Sequence, residues 1–321
     1  MCTAISHSQN GRHFFGRNLD LEFSYHEEVV VTPRDCPFHF RNGSVLNPHH
    51  AMSGMATVVN SYPLYYEATN DQGLSMAGLN FPGNAVYYSK ASGKHNITPF
   101  ELIPWILGQC ASTSEARVLL QKTNIWKLPF SRDFPLSPLH WMLCDRENCL
   151  VLESMTDGLH IYDDSVGVLT NNPPFPYHMY HLSDYQILSP AQAQNRLGIA
   201  AVTAYSNGMG AMGLPGDFSS ASRFVRAAFV KENSVPAEDP VSQFFHILAS
   251  VAMPRGSVVM DDGRSEITRY SCCCDTGCGI YYYTTYDNSR ITAVDMYSRG
   301  LQGEQLICYP LRTKADIYYE K

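Results

Sequence analysis

The first twenty residues alternate short apolar and polar runs on either side of Asn10-Gly11. Asn-Gly between two extended runs suits a two-residue type I′ turn, whose two positions both need positive φ. Closing the hairpin there pairs Gln9 with Arg12 and therefore Cys2 with Leu19. On this register Arg17 is a diagonal neighbour of Cys2 on the same face, and Asp20 falls beside residue 1. Strict alternation turns Asp20 to the opposite face, so the strand is expected to end or bend there. Glu28-Val29-Val30-Val31-Thr32-Pro33 reads as the next strand, stopped by its proline. Residues 55–60, 65–70 and 73–80 follow as short strands, the last two joined by an Asn70-Asp71-Gln72-Gly73 turn.

The period then changes. Thr98-Pro99-Phe100-Glu101 opens a helix with Thr98 as cap, proline at the first helical position and Glu101 completing a capping box. Ser112-Thr113-Ser114-Glu115 starts another in the same way. Strands return over 139–145, 148–154, 159–163 and 166–170, breaking at Asn171-Asn172-Pro173-Pro174. Helical stretches cover 178–188, 219–232 and 239–252, the last with Asp239 as cap before Pro240. Strands over 267–271, 279–286 and 290–296 complete the chain. Strands and helices without strict βαβ alternation predict an α+β fold with antiparallel sheets. No repeat or linker divides the 321 residues, so one domain is expected over 1–321, or 2–321 once Met1 is lost.

Composition narrows the classes. Charged residues make up 17% of the chain, while Tyr and Phe number 20 and 15, a balance that suggests surface covered by self-association. A formal charge of −7 and the lack of a basic run argue against nucleic-acid binding. No run of eighteen apolar residues offers a membrane span, and the start lacks a secretory pattern. The ten cysteines are accordingly expected as thiols in the cytoplasm.

Several motifs resolve to ordinary structure. Gly208-Met209-Gly210-Ala211-Met212-Gly213 has dinucleotide-binding spacing, but Leu214-Pro215-Gly216 follows where a helix must begin, so it reads as a loop. Cys272-Cys273-Cys274 with Cys278 lacks paired ligand spacing, and adjacent strand cysteines alternate faces, which disfavours a metal. No cofactor is expected. Cys2 is different, because loss of Met1 would give it both a thiol and a free α-amine. Their reference pKa values, about 8.5 and about 7.7–8.0, would make a nucleophile with its own base. Asn80 and Asn171 each end a strand before a proline-containing turn, where their amides could donate to an oxyanion. Arg223 lies in the first turn of the 219–232 helix.

Together these pieces resemble the choloylglycine hydrolase family of bile salt hydrolases and penicillin V acylases. The matching stretches are Met1-Cys2-Thr3, Phe15-Gly16-Arg17-Asn18-Leu19-Asp20, Gly78-Leu79-Asn80-Phe81-Pro82-Gly83, Val168-Leu169-Thr170-Asn171-Asn172-Pro173 and Leu214 through Arg226, in the family's order. The resemblance implies a four-layer αββα sandwich of the N-terminal nucleophile hydrolase type, a homotetramer without metal. It makes Cys2 the nucleophile and its amine the base. Arg17 and Asp20 would support these two groups, Asn80 and Asn171 would line the oxyanion site, and Arg223 would complete the cluster. Asparagine at position 80 is similar to the bile salt side of the family, implying glycine- or taurine-conjugated bile salts as substrates. A penicillin V acylase or a non-catalytic bile-salt carrier are the alternatives. Tyr25, Phe81, Tyr87-Tyr88 and the 130–134 stretch are the candidate cavity walls.

Overall fold

The computed structural model describes residues 1–320. Its opening hairpin closes at Asn10 and Gly11, with φ of 52° and 73°, and pairs Cys2 with Leu19, Ala4 with Arg17 and Gln9 with Arg12. The register read from the turn is the register observed. Gly16 allows the next strand to close on the hairpin: a Cβ there would lie 1.9 Å from the Cys272 carbonyl oxygen. The ladder does not end or bend at Asp20. It continues to Leu21, and the irregularity falls instead on the neighbouring strand, between Thr268 and Tyr270.

Two sheets organise the molecule. The six-stranded sheet runs Val168–Leu169, Cys2–Gln9, Arg12–Leu21, Ile267–Asp275, Ile280–Thr285, Asn288–Asp295. The eight-stranded sheet runs Gly158–Asp163, Cys149–Met155, Leu139–Cys144, Ser75–Asn80, Tyr62–Asn70, Met52–Val59, Glu28–Thr32, Ile307–Pro310. Every neighbouring pair in both sheets is antiparallel.

Strand alternation distributes the core on two levels. Trp141, Leu143, Leu150 and Leu152 pack with Ile103 and Ile106 of the helix Leu102–Leu107 and with Ala116 and Leu120 of Thr113–Gln121. Their sequence neighbours Met142 and Val151 join Ala77 and Leu79 in the core shared with the other sheet and its helices Ser220–Glu232 and Pro240–Ala249. Each fully buried Leu, Val, Phe or Met contributes roughly 1.5–3 kcal/mol. On the far side Phe14 meets Phe244 with ring centroids 6.2 Å apart. Helices therefore cover the outer face of each sheet, giving the four layers αββα.

The caps at Thr98, Ser112 and Asp239 stand where the sequence placed them, and Ser219, read as the first residue of its helix, is its cap. The third helical stretch begins and ends earlier than expected, as an α-helix over Phe175–Leu182 and a 3₁₀ turn over Ser183–Tyr185. Residues 52–59 and 62–70 form a longer hairpin than predicted, closed by Asn60 and Ser61 at φ of 51° and 61° without any glycine. Met209–Ala211 is a single 3₁₀ turn, consistent with a loop at the glycine-rich motif. The cysteines need one correction. Cys144 and Cys149 stand opposite each other in a hairpin with Cα atoms 4.2 Å apart and are joined as a disulfide, while the other eight are free.

Candidate active site

Cys2 begins the first strand, buried between the edge pair Val168–Leu169 and the strand carrying Arg17. Its side chain shares a face with Leu19 and Arg17, and all three line a cavity between the sheets. Arg17 is fully buried. Its Nη1 donates to the carbonyls of Gly78 at 2.6 Å and Tyr66 at 3.1 Å, whereas Nη2 has no partner among the described residues. A buried, unpaired guanidinium nitrogen beside a thiol is a site waiting for an anion. Burial alone would lower the Arg17 pKa, but Cys2, Tyr270 and Glu67 act the other way and the net shift is upward. Arg17 stays charged.

The backbone of Cys2 is held from the opposite face. Arg223 Nη1 donates to the Cys2 carbonyl at 2.5 Å and to Thr3 Oγ1 at 2.6 Å, and its Nη2 donates to Asn171 Oδ1 at 2.7 Å. The same Asn171 oxygen accepts from the Cys2 nitrogen at 2.8 Å. One N–H of the Asn171 amide goes to the Asn80 carbonyl at 2.7 Å, leaving its second N–H without a partner among the described residues. Asn171 thus ties the end of one sheet to the end of the other. It is itself fixed by Ser220 Oγ on its N–H at 2.7 Å and by His178 Nε2 on its carbonyl at 2.8 Å. Burial holds His178 near a pKa of about 4, so it is neutral at working pH.

Asp20 lies under the chain terminus as the register implied. Its main chain exchanges hydrogen bonds with Met1 at 2.8 and 3.0 Å, and its Oδ1 accepts from Thr268 at 2.6 Å. Burial raises the Asp20 pKa, opposed by Arg223 and the terminal ammonium. Met1 is present, so the Cys2 nitrogen is here a peptide N–H and the free ammonium, paired with Glu266, belongs to Met1.

The cavity walls depart from the sequence reading in part. Tyr25, Phe130 and Phe134 line the cavity with Leu21, Leu64 and Ile103, and Asn80 sits at its head beside Cys2. Phe81 does not: it is buried, stacked on His140 at 4.3 Å and 5°. An aromatic residue before proline reads as loop, but here it seals the end of a strand. Tyr87 and Tyr88 also stand outside the cavity. The Tyr87 hydroxyl donates to the Ser137 carbonyl at 2.7 Å and accepts from Leu139 N–H at 2.7 Å, bracing the wall from behind. Tyr88 donates to the Met155 carbonyl.

Sequence reasoning missed Glu67, whose carboxylate accepts from Tyr270 at 2.8 Å and Tyr281 at 2.6 Å and lies 3.7 Å from Arg17 Nη1. A lone carboxylate in an otherwise apolar strand interior was its only signal. Thr3, Thr268 and Ser220 also escaped notice, because short hydroxyl residues carry no pattern. Cys272 proves to be one more donor toward Glu67, at 3.5 Å. Among the described residues no group of three or more His, Cys, Asp or Glu side chains converges as a metal site.

Two facing antiparallel sheets between helical layers, with a cysteine at the very start of a central strand, define the N-terminal nucleophile hydrolase class. The model for the linear amide C–N hydrolases of the choloylglycine hydrolase family matches residues 2–309. The chain belongs to that family and is a hydrolase of linear amide C–N bonds. It is 50% identical to the bile salt hydrolase/transferase of Lactiplantibacillus plantarum over 99% of each chain. It is 38% identical to the bile salt hydrolase/transferase of Clostridium perfringens over 96% of each. Its fold superposes on a crystal structure of the C2A mutant of the conjugated bile acid hydrolase from Clostridium perfringens with a TM-score of 0.94, 36% identity and full coverage of both chains. Penicillin V acylase from Agrobacterium tumefaciens shares the fold, with a TM-score of 0.76 at 18% identity over 98% and 92% of the two chains.

Proposed function

We propose that the chain, once Met1 is removed, hydrolyses the amide joining a bile acid to glycine or taurine through a thioester on Cys2. The observation that carries this reading is the junction itself: Cys2 and Arg17, whose Nη2 has no partner among the described residues, at one end of a mostly apolar cavity. Such a cavity suits a rigid apolar acyl group with one reactive polar end. The 50% identity to a protein named for bile salts supports that acyl group.

In the proposed reaction the Cys2 sulfur attacks the amide carbonyl, with Arg17 favouring the charged form of sulfur. The developing oxyanion is met by the second N–H of Asn171 and by Asn80, whose side chain makes no hydrogen bond to the described protein. The α-amine freed on Cys2, held by the Asn171 oxygen and by Asp20 beneath, takes the thiol proton and passes it to the departing amino acid. It then draws a proton from water, which cleaves the thioester. Arg223 keeps the Cys2 carbonyl and Asn171 in register throughout. Release of glycine, taurine or phenoxyacetate from glycocholate, taurocholate and penicillin V, measured side by side, tests the reading. Faster bile salt cleavage is expected; faster penicillin V cleavage, or bile salt binding without turnover, would contradict it.

A homotetramer is part of the same proposal. Ile187, Leu197, Ile199, Val202 and Tyr205 stand exposed in one irregular stretch and would be covered by another copy. Light scattering on the purified chain measures the mass directly, with about four times 35.9 kDa expected.

A further inference from the structure

Glu67 is the feature of the site that the mechanism above does not use. It projects from the centre of the strand Tyr62–Asn70, is almost fully buried, and lies behind Arg17 rather than beside Cys2. Three donors from two other strands converge on it: the hydroxyls of Tyr270 and Tyr281 and the thiol of Cys272. Burial raises the Glu67 pKa, and Arg17 first, then the Tyr281, Tyr270 and Cys272 donors, act against it in favour of the carboxylate. An isolated buried carboxylate is costly, and Arg17 is the only cation within ion-pair distance of it among the described residues. Arg17 meanwhile has Nη1 on two carbonyls and Nη2 buried without a partner among the described residues.

We propose that Glu67 is a positioning residue that orients Arg17 and draws on its charge, so that Glu67 and the Cys2 sulfur compete for one guanidinium. This rests on Cys2 being the nucleophile, as proposed above. The groups facing the trio are Tyr66 on the strand of Glu67 and, from the facing six-stranded sheet, Tyr270 and Cys272 on the strand beside that of Arg17 and Tyr281 on the next. Asp20, Arg223 and the chain terminus stand around Cys2.

Removing the Glu67 charge should leave more of Arg17 for sulfur and make the thiolate easier to form. In Glu67→Gln the pH midpoint for iodoacetamide alkylation of Cys2, read by mass on the amino-terminal peptide of the Met1-free chain, is expected about one unit lower. The acid limb of kcat/KM should move with it. A Glu67 with only a structural role would lower rates at every pH and leave both midpoints in place. An unmoved or raised midpoint therefore overturns the proposal. Glu67→Met combined with Tyr270→Phe and Tyr281→Phe, which leaves neither hydroxyl without its acceptor, gives the same reading if the glutamine variant does not fold. Failure of both to fold assigns Glu67 to stability and also overturns it. Alkylation needs no bile salt, so a shifted midpoint without bile salt turnover would defeat the substrate assignment alone.

Discussion

The head of the cavity and its walls are built by opposite means. Cys2, Arg17, Asn171 and Arg223 are all buried, sit on strands or a helix, or at a strand's end, and are held by side chains and carbonyls from segments far apart in the chain. Tyr25, Phe130 and Phe134 lie on loops, are partly exposed, and pack ring against ring with one another and with Phe23, Phe100 and Tyr62, at centroid distances of 4.6–6.2 Å. Chemistry that must be accurate to a fraction of an ångström is placed on the rigid sheets. Recognition of an apolar body tolerates a softer surface and can be altered without disturbing the reacting atoms.

If that division holds, damage at the head should fall on kcat and damage at the walls on KM. Cys2→Ser is expected to lower turnover on the order of 10⁴–10⁶-fold, the scale for losing a nucleophile, with the melting temperature little changed. Retention of more than a few per cent of activity would remove Cys2 from the mechanism. Asn80→Ala, which deletes one donor to the oxyanion, should reduce kcat by about 10²–10³-fold while KM stays within a few fold. Phe134→Ala should instead raise KM by about tenfold and leave kcat within a factor of about three, a loss of one apolar contact. A fall in kcat for Phe134→Ala comparable to that of Asn80→Ala would erase the distinction between the two regions.

The smallest expected effect concerns acid. His178, which holds the Asn171 carbonyl, and His13, far from the walls, are both kept neutral by burial with pKa values near 4. The unfolded chain binds protons at these histidines from pH 6.5 downward and the folded chain does not. Their stabilising contribution is therefore complete above pH 6.5 and is lost as pH falls toward 4, at most about 3 kcal/mol each. His178→Gln keeps the donor but cannot titrate, and should remove roughly half of the decline in urea midpoint between pH 7 and pH 4.5. An unchanged decline would show that other groups dominate acid unfolding.

The same contrast governs what could be read from the sequence. The Asn10-Gly11 turn set a register, and alternation then placed Arg17 with Cys2 and Asp20 under the terminus without any knowledge of the fold. Asn80, Asn171 and Arg223 come from three distant segments and were joined to Cys2 only through resemblance to a family, since nothing local announces that Asn171 bridges two sheets. The walls were half legible. Tyr25, Phe130 and Phe134 line the cavity, but Phe81, Tyr87 and Tyr88 are equally aromatic and serve packing. Glu67 was silent because a polar residue in a strand ordinarily faces water, and only the tertiary structure shows Tyr270 and Tyr281 converging on it. Asn60-Ser61 closed a hairpin without glycine, against the usual turn chemistry.

The central claim is that sulfur and amine of one residue do the work, and it requires Met1 to be gone. Mass spectrometry of the amino-terminal peptide, from enzyme quenched in acid during glycocholate turnover, addresses this directly. The account predicts a peptide beginning at Cys2 with a fraction carrying the steroid acyl group as a hydroxylamine-labile thioester. A fully active chain whose peptide still begins with Met1 would contradict it.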